Sequence, residues 1–193
     1  MKFIFIFAIL LVAVYAIIFI LPSHVENLAL VPAKAFAEPW RFVTYPFTHL
    51  DLGHLLKNIA SLVLASALFF ELKTRTSTFS YTYLLAGFFA VLPLWFALQF
   101  TALGASVAVY SSFGLIALET KKYKINSFFI LALFMIASFI EVFVFQNSSV
   151  AFIQALSHFS GLFFGAGSFY AFEKIHSLQE QKKSFLLRET IEK

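Results

Sequence analysis

The chain has 193 residues, of which 61% are hydrophobic, 19% aromatic and 12% charged, with a formal net charge of +4 and no cysteine. A water-soluble domain of this length cannot bury so much apolar surface, so the composition describes an all-α polytopic membrane protein built as one bundle. The missing cysteines exclude disulfides, thiolate metal sites and Cys nucleophiles, and the positive charges form no groove of the kind that binds nucleic acid.

Six apolar stretches follow in chain order, at 3–22, 50–70, 79–99, 105–119, 126–145 and 151–172. The first begins after Lys2, is longer than the core of a secretory signal and ends without a small-x-small cleavage pattern, so it reads as a retained helix. The connection 23–49 is punctuated by Pro32, Pro39 and Pro46 yet holds Leu28, Leu30, Phe36, Trp40, Phe42, Tyr45 and Phe47. That mixture predicts short helices in the membrane interface rather than a polar linker. Asp51 stands where the second long helix needs its N-cap. The fourth stretch is short, which implies that its N-terminus begins inside the membrane after a dipping loop. Non-helical backbone is tolerated there only when it is buried in protein or lines a wet cavity. Residues 174–193 form a charged tail beyond a membrane domain spanning 1–173.

Lysine and arginine are distributed unevenly. Eleven fall at one side of the stretches: Lys2, Lys73, Arg75, Lys121, Lys122, Lys124 and five in the tail. Only Lys34 and Arg41 fall at the other, and Lys57 lies within a span. This asymmetry places both termini in the cytoplasm and the connections 23–49, 100–104 and 146–150 outside.

Counting from the cytoplasmic ends at about 1.5 Å per residue puts Ser106, His158 and Asn58 some 20 Å up, with His54 one turn higher than Asn58. Four polar side chains on three helices thus share a layer. His54 and Asn58 lie on one face, as do Ser106 and Tyr110. His158, Gly161 and Gly165 share a stripe, and Gly161-xxx-Gly165 lets a neighbouring backbone come close. If that neighbour is the fourth helix, His158 comes within reach of Ser106, and a Ser–His pair can act as nucleophile and base. Taken singly, each residue has a plainer role. A serine bonds back to its own helix, a histidine bridges helices, and Gly-xxx-Gly simply packs. His49, His54 and His158 have no carboxylate or cysteine at metal-ligating spacing, so no metal or other cofactor is expected.

Trp40-Arg41, His49, His54-xxx-Asn58, Gly104-Ala105-Ser106 with Tyr110, and His158-xx-Gly161-xxx-Gly165 occur in that order over about residues 1–172. Together they resemble the rhomboid family of intramembrane serine proteases. The resemblance implies a six-transmembrane-helix rhomboid-like bundle that hydrolyses peptide bonds in or near transmembrane segments. Its partners would be transmembrane protein substrates and the lipid bilayer, and its setting a prokaryotic plasma membrane with the site opening outward. Ser106 would be the nucleophile and His158 the general base, with no carboxylate third member. His54, Asn58 and the Ser106 N–H would hold the oxyanion, and Tyr110 would stack on the His158 ring. Gly104, Gly161, Gly165 and His49 would support the site, and Trp40 and Arg41 would anchor the first loop in the lipid interface.

Val107 occupies a position where the family motif usually has glycine. Its bulk lies where the fourth and sixth helices should be close, and it either holds them slightly apart or swings outward into lipid or loop. It also leaves open a second reading, a catalytically inactive rhomboid-like protein that binds transmembrane helices. Gln99, Thr101, Gln146, Asn147, Ser148 and Ser149, near the outer helix ends, fit a water path to the site. Lys57 is expected to snorkel and Glu141 to be solvated at the interface.

Overall fold

Each apolar stretch becomes helical. The computed structural model describes residues 2–146 and 150–191. Helix α1 covers Lys2–Phe19, and two short helices follow in the first loop, α2 at His24–Leu28 and α3 at Arg41–Thr44. Helix α4 runs over Leu52–Glu71, capped by Asp51, whose carboxylate accepts the His54 N–H at 2.8 Å. The stretch 79–99 divides into α5, Thr76–Phe89, and α6, Leu92–Leu98, with Pro93 at the start of the second piece. The break suits a proline, which is tolerated in the first turn of a helix but not in its interior. Ser160 Oγ donates to the Ala90 carbonyl at this joint. Helix α7 covers Ser106–Glu119. Helix α8 covers Ser127–Ile140 and continues as a π-helical turn over Glu141–Gln146. Helix α9 runs unbroken from Ala151 to Ile191, past Glu173 and through the described part of the charged tail.

Leu52–Glu71, Thr76–Leu98 and Ser127–Val144 are each long and apolar enough to cross a membrane. Large apolar side chains such as Phe3, Ile9, Phe128, Phe129 and Phe152 stand exposed. Water would penalise such a surface and acyl chains would not. The protein is an integral membrane protein.

The centre of the bundle is α7, which packs most extensively on α9 and also touches α5, α8 and α4. Every residue from Val107 to Glu119 except Tyr110 is buried. A helix buried all round needs no amphipathic stripe. At 14 residues it is about 21 Å long, shorter than the roughly 30 Å hydrocarbon core. Its contact with α9 is backbone against backbone. A Cβ at Gly161 would meet the Val107 carbonyl, one at Gly165 the Ser111 carbonyl, and one at Gly114 the Leu162 carbonyl. Tyr15 on α1 and Tyr83 on α5 share a buried hydrogen bond of 2.6 Å.

The basic loops gather at the end of the bundle away from Ser106. Lys122 pairs with Glu119, Lys121 Nζ donates to the Tyr170 hydroxyl at 3.0 Å, and an Arg75 guanidinium nitrogen lies 2.6 Å from His176 Nδ1. Several of the charges that suggested orientation from the sequence thus sit together on one end.

Candidate active site

Three segments converge at the other end. The first loop is held to the segment before α7 by a two-way backbone bridge between Leu30 and Ala102, at 2.9 and 3.0 Å. The Gly104 N–H donates to the Tyr45 carbonyl at 2.9 Å, and the Tyr45 hydroxyl donates to the Gly87 carbonyl at 2.5 Å. Burial pushes the Tyr45 phenol well above its ordinary pKa, so it stays a donor. Gly104 has φ of +94°, a conformation open to glycine, and a Cβ there would lie 2.6 Å from His54 Cε1. The loop therefore turns sharply against the His54 ring and delivers Ser106 as the first residue of α7.

Arg41 organises the loop from within. It is buried, and it donates to the Ala29 carbonyl at 2.6 Å, the Glu26 carbonyl at 2.8 Å and the Glu38 carboxylate at 2.5 and 2.7 Å. Arg41 thus secures the loop through its own backbone: a guanidinium with several donors satisfies loop carbonyls that would otherwise be buried without partners. Trp40 does stand exposed, and its indole N–H donates to the Asn27 carbonyl at 3.3 Å.

Ser106 lines a cavity of about 810 Å³ together with His54, Lys57, Gly104, Gln154 and Ser157. Thr101 lines it too, whereas Asn147, Ser148 and Ser149 lie outside the described residues. His158 is buried on α9. Its ring stacks on Tyr110, with centroids 4.1 Å apart and planes 17° from parallel. Its Nδ1 lies 2.9 Å from Ser138 Oγ, while Nε2 is buried with no hydrogen-bond partner. Leaving a buried ring nitrogen unpaired costs about 1–3 kcal/mol. No hydrogen bond joins it to Ser106 in this arrangement.

Asn58 is buried, and its side-chain N–H donates to the His54 carbonyl at 3.0 Å, which leaves the second N–H of the amide for another acceptor. His49 is buried in the loop, edge-on to Tyr15 and to His54 at 5.1 Å from each, and its carbonyl accepts from His24 Nε2 at 2.9 Å. Among the described residues no cluster of His, Asp and Glu is placed to hold a metal ion.

Two residues sit otherwise than expected. Glu141 is not simply solvated: it accepts a hydrogen bond from the Tyr110 hydroxyl at 3.0 Å, and its carboxylate lies 4.0 Å from both Lys57 Nζ and His158 Nδ1. Lys57 accordingly leans toward α8 and lines the cavity. Ser138 was missed altogether. The one signal for it was its i, i+3 spacing to a carboxylate inside an apolar stretch, where an ionisable group is a functional candidate by default.

Val107 is buried, and its side chain belongs to the cluster formed by Leu30, Tyr45, Val91, Trp95 and Ala102 rather than to the α7–α9 seam. The contact with Gly161 is made by the Val107 carbonyl. The helices approach as closely as their backbones allow, so of the two outcomes for valine the wedge fails, and its side chain swings outward onto the loop residues Leu30, Tyr45 and Ala102.

A family model described as Rhomboid domain matches residues 37–174. A comparison with curated proteins finds no match.

Proposed function

The chain belongs to the rhomboid family, and on that footing we propose that it is an intramembrane serine endopeptidase cutting other membrane proteins in or near their transmembrane segments. In this reading the chain crosses six times: α1, α4, the α5–α6 pair, α7, α8 with its π turn, and α9 to about residue 173. Both termini are cytoplasmic, and the cavity opens outward.

The observation that carries the proposal is the state of His158. One ring nitrogen is tethered to Ser138, one face is covered by Tyr110, and the other nitrogen is kept buried and unbonded beside the helix that begins at Ser106. A ring nitrogen left open in this way, on an imidazole held at its other nitrogen and over one face, is what a base requires. Catalytic hydrogen bonds are often long before substrate binds, so the missing Ser106–His158 bond is compatible with the role.

In the reaction, His158 Nε2 takes the proton of Ser106 Oγ as Oγ bonds to the scissile carbonyl carbon. The oxyanion is met by His54, by the free N–H of Asn58 and by the Ser106 backbone N–H, which has no intrahelical partner in the first turn. The C–N bond breaks as Nε2 returns the proton to the leaving nitrogen. A water deprotonated by Nε2 then releases the acyl group.

The test is turnover of a model transmembrane substrate by the purified protein, with fluorophosphonate labelling as a second readout. Ser106→Ala and His158→Ala each abolish cleavage, and the double variant is little worse than either, because the two act as a unit. Turnover that persists in Ser106→Ala removes the serine from the mechanism. A folded parent that binds transmembrane helices but neither cleaves nor labels is the inactive relative instead.

A further inference from the structure

The His158 ring has a second side that this mechanism leaves unused. Helix α8 presents Ser138 and Glu141 one turn apart, and both reach the Nδ1 edge: Ser138 Oγ at 2.9 Å and Glu141 Oε2 at 4.0 Å. Glu141 is itself held. Its Oε2 accepts from the Tyr110 hydroxyl at 3.0 Å, and its Oε1 lies 4.0 Å from Lys57 Nζ on α4. Tyr110 is the same residue whose ring stacks on His158. Three helices thus converge on one carboxylate at the back of the imidazole. The helix also changes character there, since the π-helical turn begins at Glu141. Such turns are rare and are found often at functional sites.

A neutral histidine serving as base at Nε2 must carry its proton on Nδ1. Ser138 alone cannot enforce this, because a hydroxyl either donates to Nδ1 or accepts from it. A negative charge on the Nδ1 side breaks the tie, since it favours the tautomer with hydrogen pointing toward it. The same charge favours the imidazolium that forms when Ser106 gives up its proton. At 4.0 Å the carboxylate is beyond direct hydrogen-bond reach of Nδ1, so it acts by its field and by fixing Tyr110.

Resting on the reading of Ser106 and His158 as the reacting pair, we propose that Glu141 is the positioning residue of His158. It sets the Nδ1–H tautomer of the imidazole, supports the charge formed during acylation, and is held in place by Tyr110 and Lys57. The proton of Ser106 passes to Nε2, and Glu141 takes no part in its transfer. In this chain the pair therefore has a carboxylate behind it, supplied by α8.

The test compares Glu141→Gln with Glu141→Asp in the purified full-length protein. Glutamine keeps the size and the acceptor for Tyr110 but removes the charge, whereas aspartate restores the charge on a shorter arm. For Glu141→Gln, kcat falls by roughly 10- to 100-fold, taking as a guide the loss found when the partner that orients a metal-bound histidine is removed. KM stays within about twofold and the thermal midpoint is little changed, because the substrate-binding surface and the packing remain. Glu141→Asp recovers a large part of kcat. ¹⁵N NMR of the histidine rings, with His158 assigned by a His158→Gln difference, gives the Nδ1–H tautomer in the parent and a mixture in Glu141→Gln. Wild-type kcat with an unchanged tautomer in Glu141→Gln overturns the proposal, as does an aspartate variant no better than the glutamine one. If the parent itself neither cleaves nor labels, the protease reading fails, and the tautomer measurement alone still decides the role of Glu141.

Discussion

His49 shows how one residue of the first loop ties stability to pH. Burial, with His54 beside it, lowers its pKa from 6.5 to about 4. The folded protein therefore keeps it neutral under conditions where the unfolded chain would already bind a proton. The stability it contributes is complete above about pH 6.5 and is lost progressively as pH falls toward about 4, to a total of roughly 3 kcal/mol. His49→Phe keeps the ring contacts with Tyr15 and His54 and removes the titration. Thermal midpoints from pH 7.5 down to 4.5 are expected to fall less steeply in this variant than in the parent. Parallel curves would mean that His49 is already solvated in the folded state. Gly104 gives a second residue-level prediction. An alanine there combines φ of +94° with a Cβ 2.6 Å from the His54 ring, so Gly104→Ala displaces that ring. Turnover should drop at least about tenfold, the loss of one preorganised donor being worth about 10²-fold or more. A variant as fast as the parent would remove His54 from the oxyanion site.

Between elements, the α7–α9 seam has no side chain that can give way. Gly161→Ala or Gly165→Ala sets a methyl group against a backbone carbonyl, and overpacking of this kind costs about 1–3 kcal/mol. Both variants should melt earlier and lose activity as α9 carries His158 outward. Gly167, with nothing within 4 Å of its would-be Cβ, is the control, and Gly167→Ala should stabilise by about 0.5–1 kcal/mol through helix propensity. Val107→Gly should not gain turnover. It removes a buried side chain from the Tyr45–Trp95 cluster and weakens the first turn of α7, at about 2–4 kcal/mol together. A faster enzyme would restore the wedge. The elements also show what a single sequence can convey. The Asp51 cap, the shared face of Ser106 and Tyr110 and the Gly161–Gly165 stripe are local properties of one helix, fixed by its 3.6-residue period, and they were legible. The approach of Ser138 and Glu141 to His158 depends on how α8 is rotated against its neighbours and on its π turn. Arg41 turned inward because distant loop carbonyls needed donors. Neither outcome has a local signature.

On the scale of the whole molecule, the basic loops and the Ser106 cavity occupy opposite ends, and the proposed topology can be checked directly because the parent has no cysteine. A lone cysteine replacing exposed Thr101 should react with an impermeant reagent applied outside intact cells, and one replacing exposed Lys124 should not. The reverse pattern would put the cavity on the cytoplasmic side. Helix α9 adds a mechanical consequence. It is an unbroken rod of 41 residues, about 60 Å long, and the glycine seam at 161–165 clamps it near one end. From the middle of that clamp the arm toward Ile191 measures about 42 Å and the arm to His158 only about 8 Å. A sideways push of about 2.5 Å at the far end therefore moves the imidazole by about half an ångström, within the tolerance a reacting geometry allows. The clamp works as a reduction gear. Thermal swings and collisions of the tail are scaled down before they reach the base, and a long helix can project from the bundle without shaking the chemistry at its other end.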